Sequence, residues 1–549
     1  MKIMKKISIV IYTIFGMLAF TSCNKDKLNI INPNSPTSAS LLTESGINSF
    51  ALGLINRQLG NVQNAGTSNL FMWGLVHESA MGDEIFMPYG NYGVRWSNQV
   101  YSVKIPNGTE VINPFGVTQL VSLQGFNSRQ AGDRNAFLYE WFWAYNYIAQ
   151  CNTLLAAVNN PALSLSGDAA TKKAVLKAWA LWWKGYSYSR VGSMYLAGLI
   201  INESGVTNPN YVSNAAMITE ANKTMDEAVA ALSGITANAD YIATFKAITA
   251  SYNSPNDVVT PSMWGRIVNT IKARNLLANK KVAAMTPADW ASITSLTTNG
   301  IISGDKVFQF GMTPDGVNDV SANFQHLLAL IGTGNEFTFV SERLIQEYKT
   351  GDARLAKNFT LRALTDRYPA NIRSRGLQFG TRWAVNNVED GGLYATNNNA
   401  GSLALCGSFE ENSLMSAEAL INTNQIEAGL VIVDRVRTAQ GAGIAAVAGT
   451  GLNLAQAREE VRRERRVALF LRGTAFYDAR RMGFTAPVSA GGGRANAMVY
   501  LPESLIGGGA TVPDVRPCIM DYRYVDYFDV PLNEIDFNAP SSMSVPVKN

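Results

Sequence analysis

The chain has 549 residues, a formal net charge of +4, 47% hydrophobic residues and only 16% charged ones. That is enough apolar material to bury a large core, and the charge is too small to favour a nucleic-acid partner. With only two histidines, a histidine triad or a histidine-rich metal site is nearly excluded, and no cofactor or metal is expected.

Lys2, Lys5 and Lys6 precede an apolar run over 7–20 and the small residues Thr21 and Ser22. This reads as a secretory signal over 1–22, too short for a membrane span of about 20 residues. The stretch LAFTSC at 18–23 resembles a bacterial lipobox. It implies acylation at Cys23, with 23–40 as a flexible leash. The remaining Cys151, Cys406 and Cys518 cannot all pair within the chain. Cys151 falls in an apolar helical pattern, so a buried free thiol is expected there.

Helical spacing of apolar residues predicts helices over 38–59, 69–85, 129–158, 169–196, 214–232 and 261–285. Another starts at Pro287, with Thr286 as its cap. Trp141, Trp143, Trp179, Trp182 and Trp183 fall on these helices and are expected in the core. Residues 299–408 lose periodicity and are rich in Gly, Asn and aromatics. So long a stretch reads as an irregular, partly stranded insert over a helical scaffold of 41–298 and 409–482. Helices return over 412–421, 426–439, 454–471 and 476–482. From 486 onward the tail reads as Gly- and Pro-rich, with one apolar stretch at 527–532. Paired helices suggest stacked repeats, but no 34-residue consensus recurs.

In order, the blocks NSLMSAEALI (412–421), VDRVRTAQG (433–441), VRRERRVALFLRG (461–473), AFYDARRMG (475–483) and DVPLNEIDFNAP (529–540) closely resemble the SusD/RagB family of outer-membrane nutrient-binding lipoproteins. MGDE at 81–84 and the helix 177–196 are weaker points of likeness. The resemblance implies a mainly α fold with tetratricopeptide-type helix pairs, one domain over 41–549, and an irregular loop-rich ligand-binding region. It implies a lipid anchor in the outer membrane, facing the exterior. The implied partners are a SusC-like TonB-dependent transporter and an oligosaccharide or, as in the RagB branch, a peptide. A helical-repeat lipoprotein with only protein partners is a further alternative.

The charge-dense 458–466 reads as one side of an ion-pair lock. Glu464, Arg472, Asp478 and Arg480 are expected to join the last helices rather than to catalyse. Asp83 and Glu84 are adjacent and do not form a facing carboxylate pair, and no Gly-rich phosphate loop is present. Binding is the expectation. Tyr89, Tyr92, Arg95, Trp96, Asn98 and Tyr101 lie in one loop-like stretch, where exposed aromatics are costly unless they bind something. Arg382, Trp383 and Asn386 form a second such cluster in the insert. Rings suit the apolar faces of sugars, while Asn and Arg suit their hydroxyls.

Overall fold

A computed structural model describes residues 39–59, 70–87, 91–249, 257–311, 339–370, 376–377, 379–386, 402–404, 406–506 and 508–549. Cys23, the expected signal 1–22, most of the leash and Tyr89 lie outside the described residues.

The long helices are α1 (Glu44–Leu59), α2 (Leu70–Met81), α3 (Leu138–Asn159), α4 (Ala169–Met194), α5 (Asn214–Ala231), α6 (Ala239–Thr249), α7 (Pro261–Ala278), α8 (Pro287–Thr298), α9 (Phe409–Asn422), α10 (Ile426–Ala439), α11 (Leu454–Ala468) and α12 (Ala475–Arg481). Their starts follow from capping chemistry. Asp168, Ser213 and Ser408 each accept a backbone N–H of the first turn of α4, α5 and α9. Thr286 with Asp289 and Asn453 with Gln456 form reciprocal capping boxes at α8 and α11. Pro287 adds its fixed φ at the first position of α8.

Several ends differ from expectation. The helix predicted from 129 begins at Leu138, because Gly132, with a φ of 57°, breaks a 3-10 turn over Arg129–Arg134. The helix predicted to 285 ends at Ala278, and that predicted to 471 ends at Ala468. The helix α6 was not predicted at all.

The element α4 lies between α3 and α5. It is therefore buried almost all round, and Trp141, Trp143, Trp179, Trp182 and Trp183 all sit in the main core. Each such side chain contributes roughly 1.5–3 kcal/mol through burial. Helices α9 and α10 pack as a hairpin onto α11 around Leu414, Ile421, Leu430, Val433 and Val461. Ala273 and Leu277 of α7, Trp290 and Ile293 of α8, and Met415 of α9 join this hairpin to the rest. Cys151, Cys406 and Cys518 are buried free thiols.

Short strands punctuate the helices: β1 (Ile85–Phe86), β2 (Ser102–Lys104), β3 (Glu110–Ile112), β4 (Phe339–Val340), β5 (Phe359–Leu361), β6 (Trp383–Val385), β7 (Arg494–Leu501) and β8 (Asp514–Asp521). The described parts of the insert are irregular with short antiparallel pairs, such as β5 with β6. The tail differs from its reading as mere turns. It carries β7 and β8, which join β2 and β3 in one antiparallel sheet ordered β7-β8-β2-β3. The signal was masked locally: β7 is interrupted by a bulge between Arg494 and Ala497, and Pro517 lies within β8. Beyond the sheet, Phe528 exchanges backbone hydrogen bonds with Met194 and Leu196, so the tail seals the end of α4.

Candidate functional site

The turn after α2 builds the base of the site. A Cβ at Gly82 would run into the backbone of Ala475 and Phe476, so the residue must be glycine for α12 to pass. Asp83 adopts a φ of 61°. Its buried carboxylate accepts from Arg343 Nη2 and Nε at 2.9 Å each, from Tyr522 Oη at 2.7 Å and from Ser341 Oγ at 3.0 Å. Burial opposes ionisation, but the Arg343 guanidinium outweighs it and holds the carboxyl below its usual range. Arg466 donates to the carbonyls of Gly82 and Asp83 at 2.8 and 3.0 Å. Glu84 receives the Leu471 N–H, and burial pushes its carboxyl up to about 8. The chain then enters β1, which pairs with β4.

His77 of α2 holds the loop that follows. Its Nε2–H donates to the Tyr92 carbonyl at 3.0 Å, and Nδ1 faces Ser97 Oγ at 2.9 Å. Burial lowers this imidazole to about 4, so it is neutral at physiological pH. Tyr92, at a φ of 56°, stacks on Trp73 with centroids 3.8 Å apart. It forms a wall against the core.

Arg95 and Trp96 follow on the short helix Val94–Ser97. Trp96 is half-buried and meets Phe115 at 5.1 Å and Phe126 at 4.5 Å. The Arg95 guanidinium lies 4.0 Å over Trp96, and exposed Arg134 lies 5.2 Å from the Phe126 ring. Three loops thus assemble one aromatic platform flanked by two guanidiniums. Asn98 is buried, its amide bridging the Arg95 carbonyl and the Met87 N–H. Tyr101 is half-buried beneath the Arg523 guanidinium at 3.6 Å.

The second cluster lies in the insert. Phe86 stacks on Phe339 at 5.4 Å, and Phe339 meets Tyr368 at 4.8 Å. Tyr368 bridges Thr381, next to Arg382. Gly376, at a φ of +85°, lies where a Cβ would strike Gln99 and the Phe115 ring. Arg382 donates to both carboxylate oxygens of Glu342 at 3.0 Å. Trp383 is half-buried on β6, paired with Leu361 and packed on the main core. Asn386 donates to the carbonyls of Ala356 and Lys357. The platform partners Phe115, Phe126 and Arg134 were missed by reading local clusters. Each lies in a segment separate from Trp96, and only folding brings it to the platform.

The SusD family's sequence model matches residues 411–538. Solved structures share the fold over nearly the whole chain. A SusD-like carbohydrate-binding protein from Bacteroides vulgatus is 14% identical, with a TM-score of 0.58, over 92% of this chain and 98% of its own. A SusD superfamily protein from the same organism is 13% identical with a TM-score of 0.55, again over 92% and 98%. A structure with xylogluco-oligosaccharide is 14% identical with a TM-score of 0.53, over 92% and 99%. No curated protein matches the sequence.

Over residues 411–538 the chain matches the SusD family, and its fold is that of SusD-like proteins.

The SusD-matching region supplies α9 to α12, β7 and β8, and of the four residues expected to form the lock, Glu464 and Asp478 make buried ion pairs. Glu464 takes Arg354 at 2.5 Å and Arg437 at 2.8 Å. Asp478 takes Arg465 at 2.8 Å and Arg481 at 2.7 Å, and Arg481 also binds Glu418 at 2.6 Å. Arg480 departs from the ion-pair expectation. Its guanidinium donates to the carbonyls of Ser193, Asp526 and Ala278 and to Asn279 Oδ1. It thereby ties α12 to the ends of α4 and α7, whose last carbonyls lack helical partners. Among the described residues, no group of three or more His, Cys, Asp or Glu is placed to hold a metal ion.

Proposed function

We propose that this protein captures nutrient oligosaccharide outside the cytoplasm and hands it, chemically unchanged, to a SusC-like TonB-dependent transporter in the outer membrane. In this reading it is a single domain tethered through lipidated Cys23, on the exterior face. The observation that carries binding is the Trp96–Phe115–Phe126 platform with its flanking Arg95 and Arg134. Sugars present apolar C–H faces ringed by hydroxyls. Aromatic ring faces cover the former, and guanidinium N–H groups donate to the latter. Trp383 on the neighbouring hairpin offers a second contact, beside exposed Leu361 and Leu364. The xylogluco-oligosaccharide in one structural relative supports a glycan ligand. The family resemblance of the lipobox-bearing chain supports the anchor and the transporter.

Titration calorimetry against a panel of plant and host oligosaccharides, with mixed peptides as a parallel arm, tests the reading. A glycan in the panel should bind, and Trp96→Ala should weaken it at least about tenfold, or ~1.4 kcal/mol, while the far-ultraviolet circular dichroism stays that of the folded protein. Binding of peptides alone would replace glycan by peptide as the cargo. Glycan affinity indifferent to both Trp96→Ala and Trp383→Ala would remove the platform as the site.

A further inference from the structure

The lock in the SusD-matching region is charge-balanced except at one place. Lys349, Arg437 and Arg354 face Glu460, Glu464 and Asp352. Arg465 and Arg481 face Asp478 and Glu418. Glu347, by contrast, is approached by Arg462 at 2.6 Å, Arg466 at 3.4 Å, Arg463 at 3.6 Å and Arg494 at 3.8 Å. Arg462 has a second partner in Glu459, which is half exposed. The nearby Asp83 is already neutralised by Arg343, and Glu84 is held protonated by burial. Four guanidiniums therefore meet two carboxylates.

Hydrogen bonding is as incomplete as the charge. Arg462 alone donates to Glu347 with good geometry. The Nε–H groups of Arg463, Arg466 and Arg494 are buried and meet no acceptor among the described residues. Arg494 is 8% exposed and stacks on Phe484, yet donates no hydrogen bond there. A buried cation with unmet donors is costly, and the excess of guanidiniums over carboxylates favours an anion as the missing partner. The strain shows in Arg466, which burial and repulsion from Arg494 bring down to about 10. Arg463, a third exposed, keeps the cluster open to solvent.

We propose that the arginines around Glu347 form a binding site for a small oxyanion, entered past Arg463 and closed by Arg494. Planar guanidiniums bind such anions through paired N–H donors. The site draws Arg462, Arg463 and Arg466 from α11, Arg494 from β7 and Glu347 from the segment that begins at Glu342. Because Glu342 holds Arg382, the anion braces the seat of the second aromatic cluster without being its ligand.

The test is a thermal-unfolding titration of the full chain with sodium sulfate, sodium phosphate and sodium acetate, each against sodium chloride at equal ionic strength. Sulfate and phosphate should raise the melting temperature saturably. Arg463→Gln, which removes no hydrogen bond, should weaken the apparent affinity at least about tenfold. Arg494→Gln should do the same, and Arg458→Gln, at an exposed position of α11, should not. Saturation by sulfate and phosphate alone identifies an inorganic dianion. Saturation by acetate as well extends the site to carboxylates. A rise that does not saturate, that chloride reproduces, or that persists unchanged in Arg463→Gln overturns the proposal.

Discussion

At the scale of single residues, Asp83 is the most consequential polar group. It joins α2 to Arg343 in the insert and Tyr522 in the tail, across more than 400 positions. Asp83→Ala leaves the buried Arg343 without a counter-charge and should cost about 3–5 kcal/mol, read from chemical denaturation. A loss below about 1 kcal/mol, the level of an exposed pair, would show that the pair is dispensable. Residue types in the candidate clusters were legible, and their partners were not. Arg95 and Trp96 do lie on a half-exposed platform. Asn98, Asn386 and Arg382 are engaged with backbone carbonyls or with Glu342, because polar groups enclosed by a fold must find partners. The sequence shows that such groups exist and is silent on what satisfies them.

At the scale of elements, caps decide where helices start, and the one at Thr286 is readable. Thr286 was expected to open a helix, and its hydroxyl accepts the Asp289 N–H while Asp289 returns to the Thr286 backbone. Thr286→Ala should cost about 1 kcal/mol, visible as a lower urea midpoint with an unchanged slope. An unchanged midpoint would mean that α8 is held by packing of Trp290 and Ile293 alone. Several ends, like the start predicted at 129, were not legible. The helix predicted through 85 stops at Met81, because the left-handed Asp83 reverses the chain against α12. That choice is made by a neighbour nearly 400 residues away.

At the scale of the whole molecule, buried carboxyls give stability an uncommon pH dependence. Burial raises Glu78 to about 7, although Arg190 opposes it, and raises Glu84 to about 8. Both lie above the ordinary value of 4.5, so the native state holds protons that the unfolded chain releases. Their contribution is full below about pH 4.5 and is lost as pH rises through 7 to 8. On the acid side the signs reverse. Asp83, Glu347 and Asp478 are held low by arginines that outweigh burial, and burial holds His77 at about 4. Their contributions are present above the ordinary values and disappear on acidification. The urea midpoint should therefore peak near pH 5 and fall toward pH 8, with Glu84→Gln flattening the upper limb. A wild-type midpoint that stays level from pH 5 to 8 would refute this assignment.

The sequence by itself determined most of the helical scaffold, the Thr286 cap, the tryptophan core and the C-terminal blocks that resemble SusD/RagB proteins. These are written in spacings of three to five residues, within reach of one helical turn. Only the tertiary structure decided that the tail pairs β8 with β2, that Phe115 and Phe126 complete the platform of Trp96, and that four arginines crowd Glu347. Those are contacts between distant segments. Their energies depend on distance and burial, which no local pattern of residues encodes.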